Sequence, residues 1–173
     1  MEPDLNEGVD LEGDTEGFRG PQVCKIVGIS YRQLDYWART KLVEPSLRAA
    51  QGSGSQRLYS FADLVDLKLI KNLLGAGVSL QRVRDAIDYL HAIGHDLSGV
   101  TIASDGTSVY ACKSPEEVFD LLRGGQGVFG IAVDPVMQEL KGSVLALRDH
   151  KVPAQPAAGE STVTELGKAA GKE

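Results

Sequence analysis

The chain has 173 residues, of which 24% are charged, and a formal net charge of −6. That length suits one compact domain or two small ones with tails. No run approaches a membrane span and no secretory leader opens the chain, so no membrane partner is expected. Cys24 and Cys112 form no CxxC pair, and His91, His95 and His150 complete no zinc-ligand pattern. Neither a structural metal nor a cofactor is expected, and the compartment reads as a reducing cytoplasm.

The charge is unevenly spread. Residues 1–17 carry seven acids and no base, residues 18–93 carry eleven Lys and Arg against six Asp and Glu, and residues 94–173 carry seven against eleven. Only the middle segment suits a phosphate backbone, and its positive charge is densest over residues 19–59. There Arg19, Lys25, Arg32, Arg39, Lys41, Arg48 and Arg57 face only Asp35 and Glu44. An ordinary solvated surface carries such charge too, so the order of motifs has to separate the two.

In chain order, residues 1–17 are an acidic tail with too few large apolar groups to offset its ordering entropy, which predicts disorder. "PQVCKIV" predicts a short helix, with proline in its first turn and an apolar stripe of Val23, Ile26 and Val27. Gly28 stops it, and Ser30 is placed to cap a second helix over Tyr31 to Thr40. Residues 43–57 are Gly- and Ser-rich without a helical period, predicting a hairpin-like excursion with "QGSGS" at its tip. Ser60 and Asp63 form a capping-box pair before the apolar helix "FADLVDLKLIKNLLG", and Ser79 caps a fourth helix with Leu80, Val83, Ile87 and Leu90 on one side.

Beyond Gly94, "VTIASDGTSVYAC" predicts two strands around an Asp-Gly turn, "SPEEVFDLLRGG" a capped helix and "GVFGIAV" a buried strand. Together they make a small α/β unit. Residues 150–173 again lack large apolar groups and predict a second disordered tail. "GQGVFG" places Gly125, Gly127 and Gly130 in a GxGxxG pattern. A dinucleotide fingerprint needs a strand before it and a helix after it, and here the order is reversed. No acid, base and nucleophile stand at a recognisable spacing, so an enzyme is not expected.

The segment "GISYRQLDYWART", residues 28–40, carries the chemistry. Helical steps of about 100° per residue put Arg32, Tyr36 and Arg39 on one side and Leu34 and Trp37 on the other. Two guanidiniums flanking a phenol suit a helix that enters a DNA major groove and touches phosphates, with Tyr31 at its start as a further candidate. Leu34 and Trp37 are core anchors. The plainer alternatives are solvated arginines, one bridged to Asp35 or Glu44, and a Tyr36 at the edge of a core.

The order "VCKIVGISYRQLDYW", "KLVEPS", "QRLYS" and "FADLVDLKLIKNLLGAGVSLQRVRDAI" resembles the MerR family of bacterial transcription regulators over residues 18–93. The resemblance implies a mainly α, winged helix-turn-helix DNA-binding domain there; the residues beyond it, 94–149, read as a small C-terminal α/β module for oligomerisation or sensing. It implies that Arg32, Tyr36 and the wing's Arg57 contact double-stranded DNA, and that Tyr59 and Ser60 support the wing base or a phosphate. For Arg57 the alternative is a wing arginine held by a surface acid, and for Tyr59 a core ring beneath the wing.

Asp35 departs from the family pattern, where a basic residue usually precedes the aromatic pair. It is expected to pair with Arg32 or Arg39, the other use being acceptance from a cytosine amino group. The family's long dimerisation helix and cysteine-bearing loop have no counterpart after Gly94, so metal sensing is not implied. A homodimer is still expected, because one half-site binds weakly.

Through "YRQLDYWART", "GSGSQRLYSF" and "SDGTSVYACKSPEEVFDLLRGGQGVFGIAV" the chain also resembles the actinobacterial McdR-type branch, associated with control of cell division. The MerR-family resemblance implies a dimer that distorts promoter DNA for RNA polymerase, and a cytoplasmic, nucleoid-associated regulator is expected. An architectural or excisionase-like DNA-binding factor is the competing expectation.

Overall fold

The computed structural model describes residues 17–49, 56–94, 97–125 and 127–149. Apart from Gly17, both expected tails and the wing tip lie outside the described residues.

A two-residue strand β1, Phe18–Arg19, leads into helix α1, Gly20–Val27, which has Pro21 in its first turn. Gly28 ends α1 at φ 75°, a left-handed conformation that favours glycine. Helix α2, Tyr31–Arg39, follows after the two-residue link Ile29–Ser30. The chain then runs out to the wing and returns as β2, Leu58–Tyr59, which pairs antiparallel with β1 and bridges to Arg48.

Helix α3, Phe61–Gly75, is buried at every residue from 63 to 70, including Asp63, Asp66 and Lys68. An amphipathic surface helix would bury one stripe only, and α3 buries its whole circumference because α1, α4 (Leu80–Ile93) and α6 (Val133–Asp149) all pack on it. Serines cap these helices as the spacing predicts: Ser60 accepts from the Asp63 N–H at 3.2 Å and Ser79 from the Arg82 N–H at 3.4 Å.

The C-terminal part is a three-stranded antiparallel sheet in the order β4-β3-β5, with β3 Thr101–Ser104, β4 Val109–Cys112 and β5 Phe129–Ala132. Asp105 shapes the β3–β4 turn by accepting from the N–H groups of Thr107 at 2.8 Å and Ser108 at 2.6 Å. These bonds hold its carboxyl down to about 2. Helix α5, Pro115–Arg123, lies between β4 and β5 in the chain and is capped by Ser114.

Two expectations change here. The segment "GVFGIAV" was expected to be a buried strand, yet in β5 only Ile131 is buried and Phe129 is exposed, because β5 is an edge strand. The 17-residue helix α6 was not anticipated. Its buried Val133, Val136, Leu140 and Val144 recur at helical spacing and join the cluster that holds Val23, Leu34, Leu67 and Ile70. Lys68 of α3 donates to Glu139 of α6 at 2.7 Å, giving a mostly buried ammonium its counter-charge.

Candidate nucleic-acid interface

Helix α2 is fixed at both ends and from beneath. At its start the Ser30 hydroxyl accepts from the Gln33 N–H at 3.2 Å, while Gln33 Oε1 accepts from the Ser30 N–H at 2.9 Å. Leu34 and Trp37 point into the core, 1% and 3% exposed. At its end Arg84 of α4 donates to the Thr40 carbonyl at 3.1 Å, satisfying one of the acceptors a helix C-terminus leaves open. Lys71 of α3 does the same for α1, donating to the Val27 carbonyl at 3.2 Å.

With its inner face committed, α2 presents Tyr31, Arg32, Tyr36 and Arg39 outward, all exposed. Tyr31 is 61% exposed and Tyr36 47%, well beyond an edge-of-core ring. The expected division of the two faces is the one observed.

Asp35 organises the remaining charge. Its Oδ2 lies 2.8 Å from Arg39 Nη2, and its Oδ1 accepts from Arg57 Nη1 at 2.9 Å. The expected pairing with Arg39 is present, and the second partner is Arg57 of the wing instead of Arg32. The hydrogen bond from Arg57, then the neighbouring Arg39 charge, hold the Asp35 carboxyl below the usual carboxylate range.

Three of the candidate residues also make contacts within the chain. Arg57 was expected to be an exposed wing side chain, and it is only 21% exposed because it folds back onto Asp35. Tyr59 is fully buried under the wing base, where β2 pairs with β1, the placement of the core-ring alternative. Its hydroxyl makes no hydrogen bond among the described residues, and burial pushes it up to about 12. Ser60 works as the cap of α3 instead of facing a phosphate: its hydroxyl lies 2.8 Å from Ser46 Oγ and accepts the Asp63 N–H.

Asp63 in turn accepts from the N–H groups of Ser46 at 2.9 Å and Ser60 at 2.8 Å. This ties the wing's outgoing limb to the start of α3. Ser46, Lys71 and Arg84 carried no local signal, since their partners lie far along the chain. The wing's two limbs are also joined where Arg48 Nε donates to the Gln56 carbonyl at 3.1 Å.

Other chemistry-bearing groups lie apart from this face. His91 Nε2 stands 2.7 Å from Asp66 Oδ2, and His95 lies outside the described residues. The glycines of "GQGVFG" follow α5 and lead into β5, the reverse of a dinucleotide cradle. Among the described residues no helix is long and apolar enough to cross a membrane.

Residues 18–90 match the family described as MerR HTH family regulatory protein. The chain is 56% identical over 145 residues to proteins described as uncharacterized HTH-type transcriptional regulators of Mycobacterium tuberculosis, in two strains, and of Mycobacterium bovis. The alignment covers 83% of this chain and 64% of each relative, so the chain spans less than two thirds of their length.

Proposed function

We propose, from the match of residues 18–90 to the MerR HTH family and the 56% identity to HTH-type transcriptional regulators, that the chain is a sequence-specific DNA-binding transcription regulator acting at promoters as a homodimer. The observation that carries this reading is the two-faced α2: Leu34 and Trp37 bury one face and leave Tyr31, Arg32, Tyr36 and Arg39 rigidly displayed on the other. In the major groove Arg32 reads a base edge, guanine O6 and N7 being the natural partners, while Tyr36 and Arg39 touch the backbone. Arg57 adds a wing contact beside it.

One nine-residue recognition helix reads a short half-site, so a second copy supplies the other half. Residues 94–149 serve as the oligomerisation or sensing module, and the apolar side chains left exposed there, Phe119, Leu122 and Phe129, favour oligomerisation. The protein acts in the cytoplasm on the nucleoid, shaping promoter DNA for RNA polymerase. Its similarity to the McdR-type branch makes cell-division genes the first to examine.

The test is selection of DNA by the purified chain from a random library. An enriched motif with two related halves is expected, with Arg32→Ala weakening binding at unchanged melting temperature. Binding of every sequence alike would overturn the reading in favour of an architectural factor.

A further inference from the structure

Asp35 is the one acid on the outward side of α2, and it stands where a DNA-binding surface would be expected to carry positive charge. Each of its oxygens has its own guanidinium, Arg39 at 2.8 Å and Arg57 at 2.9 Å. Arg39 is four residues on in the same helix, but Arg57 lies across 22 positions on the returning limb of the wing. The carboxylate therefore ties the recognition helix to the wing. Elsewhere the wing is held to the core of the domain, through Ser46 to Asp63 and through β2 to β1, and among the side-chain bonds described Asp35–Arg57 alone joins it to α2.

Two opposed effects follow. By charge counting, Asp35 cancels one of two arginine charges and adds a repulsion toward phosphates, so removing it would tighten binding to any DNA. By preorganisation, Asp35 holds two long side chains and the wing in one arrangement before DNA arrives, so removing it leaves that ordering cost to be met on binding. Several facts make the second effect dominate. The carboxylate is neutralised in contact by two cations, which mutes its field, and salt screens the remainder beyond about 8 Å at physiological ionic strength. A guanidinium also carries five N–H donors, so a bond to one carboxylate oxygen leaves donors for a phosphate.

Resting on the DNA-binding reading above, we infer that Asp35 is a positioning residue: it fixes the wing against the recognition helix and presents Arg39 and Arg57 preformed to backbone phosphates. Sequence preference then depends on an acid that touches no base, because the spacing between helix and wing sets which base pairs α2 meets.

The test compares the full chain with Asp35→Asn and Arg57→Gln on the sequence that the wild type selects and on a scrambled duplex, across a salt series. Asp35→Asn is expected to bind the selected sequence about tenfold more weakly, with its preference over the scrambled duplex reduced, since two ordered side chains are released. Its affinity for the scrambled duplex is expected to hold or rise. Combined with Arg57→Gln, the two losses should fall short of their sum.

Asp35→Asn binding the selected sequence as tightly as the wild type, or more tightly, would overturn the inference and leave charge counting as the rule. Nitrogen-15 NMR of the Arg57 guanidinium without DNA gives a second reading: slow solvent exchange in the wild type and fast exchange in Asp35→Asn are expected, and equal rates would sink the positioning role even if the variant bound poorly for lack of stability. A wild type that enriches no sequence, together with an Arg32→Ala variant that binds like it, would bring down the DNA-binding reading itself and this inference with it. That outcome is told apart from the others by the wild-type and Arg32→Ala arms, neither of which involves Asp35.

Discussion

Along residues 63–70 helix α3 is buried on every side, and the helices around it turn their apolar stripes toward it, whereas α5 carries Val118, Phe119, Leu121 and Leu122 and buries none of them. The first arrangement completes itself within one chain. The second does not among the described residues. Helix α6 follows β5 in sequence but places Val136, Leu140 and Val144 in the core built around α3. The contrast shows why α2 can display four polar or aromatic side chains outward: its footing is a core closed from the far side by a helix more than 90 positions later. Position along the chain says little about which core an element serves.

The largest effect that tests this contrast is at its centre. Trp37→Ala removes the anchor of α2 and is expected to lower stability by about 3–5 kcal/mol in chemical denaturation; an unchanged midpoint would mean that the faces of α2 are reversed. Leu140→Ala should cost about 2–5 kcal/mol and melt the helix-turn-helix together with the C-terminal part in one transition. Two separate transitions, with the first unmoved, would show that α6 does not support the helix-turn-helix.

Arg32→Ala leaves the core intact and is expected to weaken binding to the selected DNA by about 1–3 kcal/mol in a fluorescence titration. Phe119→Ser should change stability by less than about 0.5 kcal/mol because the ring is 64% exposed, while shifting sedimentation toward monomer. A stability loss matching that of Leu140→Ala would show α5 to be packed after all.

The smallest effect concerns acid. Because Asp105 is held down to about 2 in the folded chain, the turn bonds it accepts contribute fully above the ordinary carboxylate range and are lost only as pH falls toward about 2. The Thr107 and Ser108 amide shifts should titrate there, and a midpoint near the ordinary value of 3.8 would break the assignment.

Most of the helix-turn-helix was legible because its signals are local. A capping serine at position 30, 60, 79 or 114 needs only the next three residues to act, and the stripe in "YRQLDYWAR" is a matter of helical steps. Helix α6 had a stripe of the same kind but no punctuation, since β5 ends at Ala132 and α6 begins at Val133 with no loop between them. Tyr59 was ambiguous because a two-residue strand gives no alternation from which to read its inner side. Arg57 looked like a free cation because its partner lies 22 positions back.

The sequence by itself determined where helices begin, where Gly28 turns the chain, and that α2 has an apolar and a cationic face, since each depends on neighbours within a turn or two. Only the tertiary structure decided which cations are tied to a carboxylate, which ring supports the wing, and which late helix closes the core. Those outcomes depend on contacts a few ångströms long between residues far apart in the chain, and no local pattern encodes the distance between them.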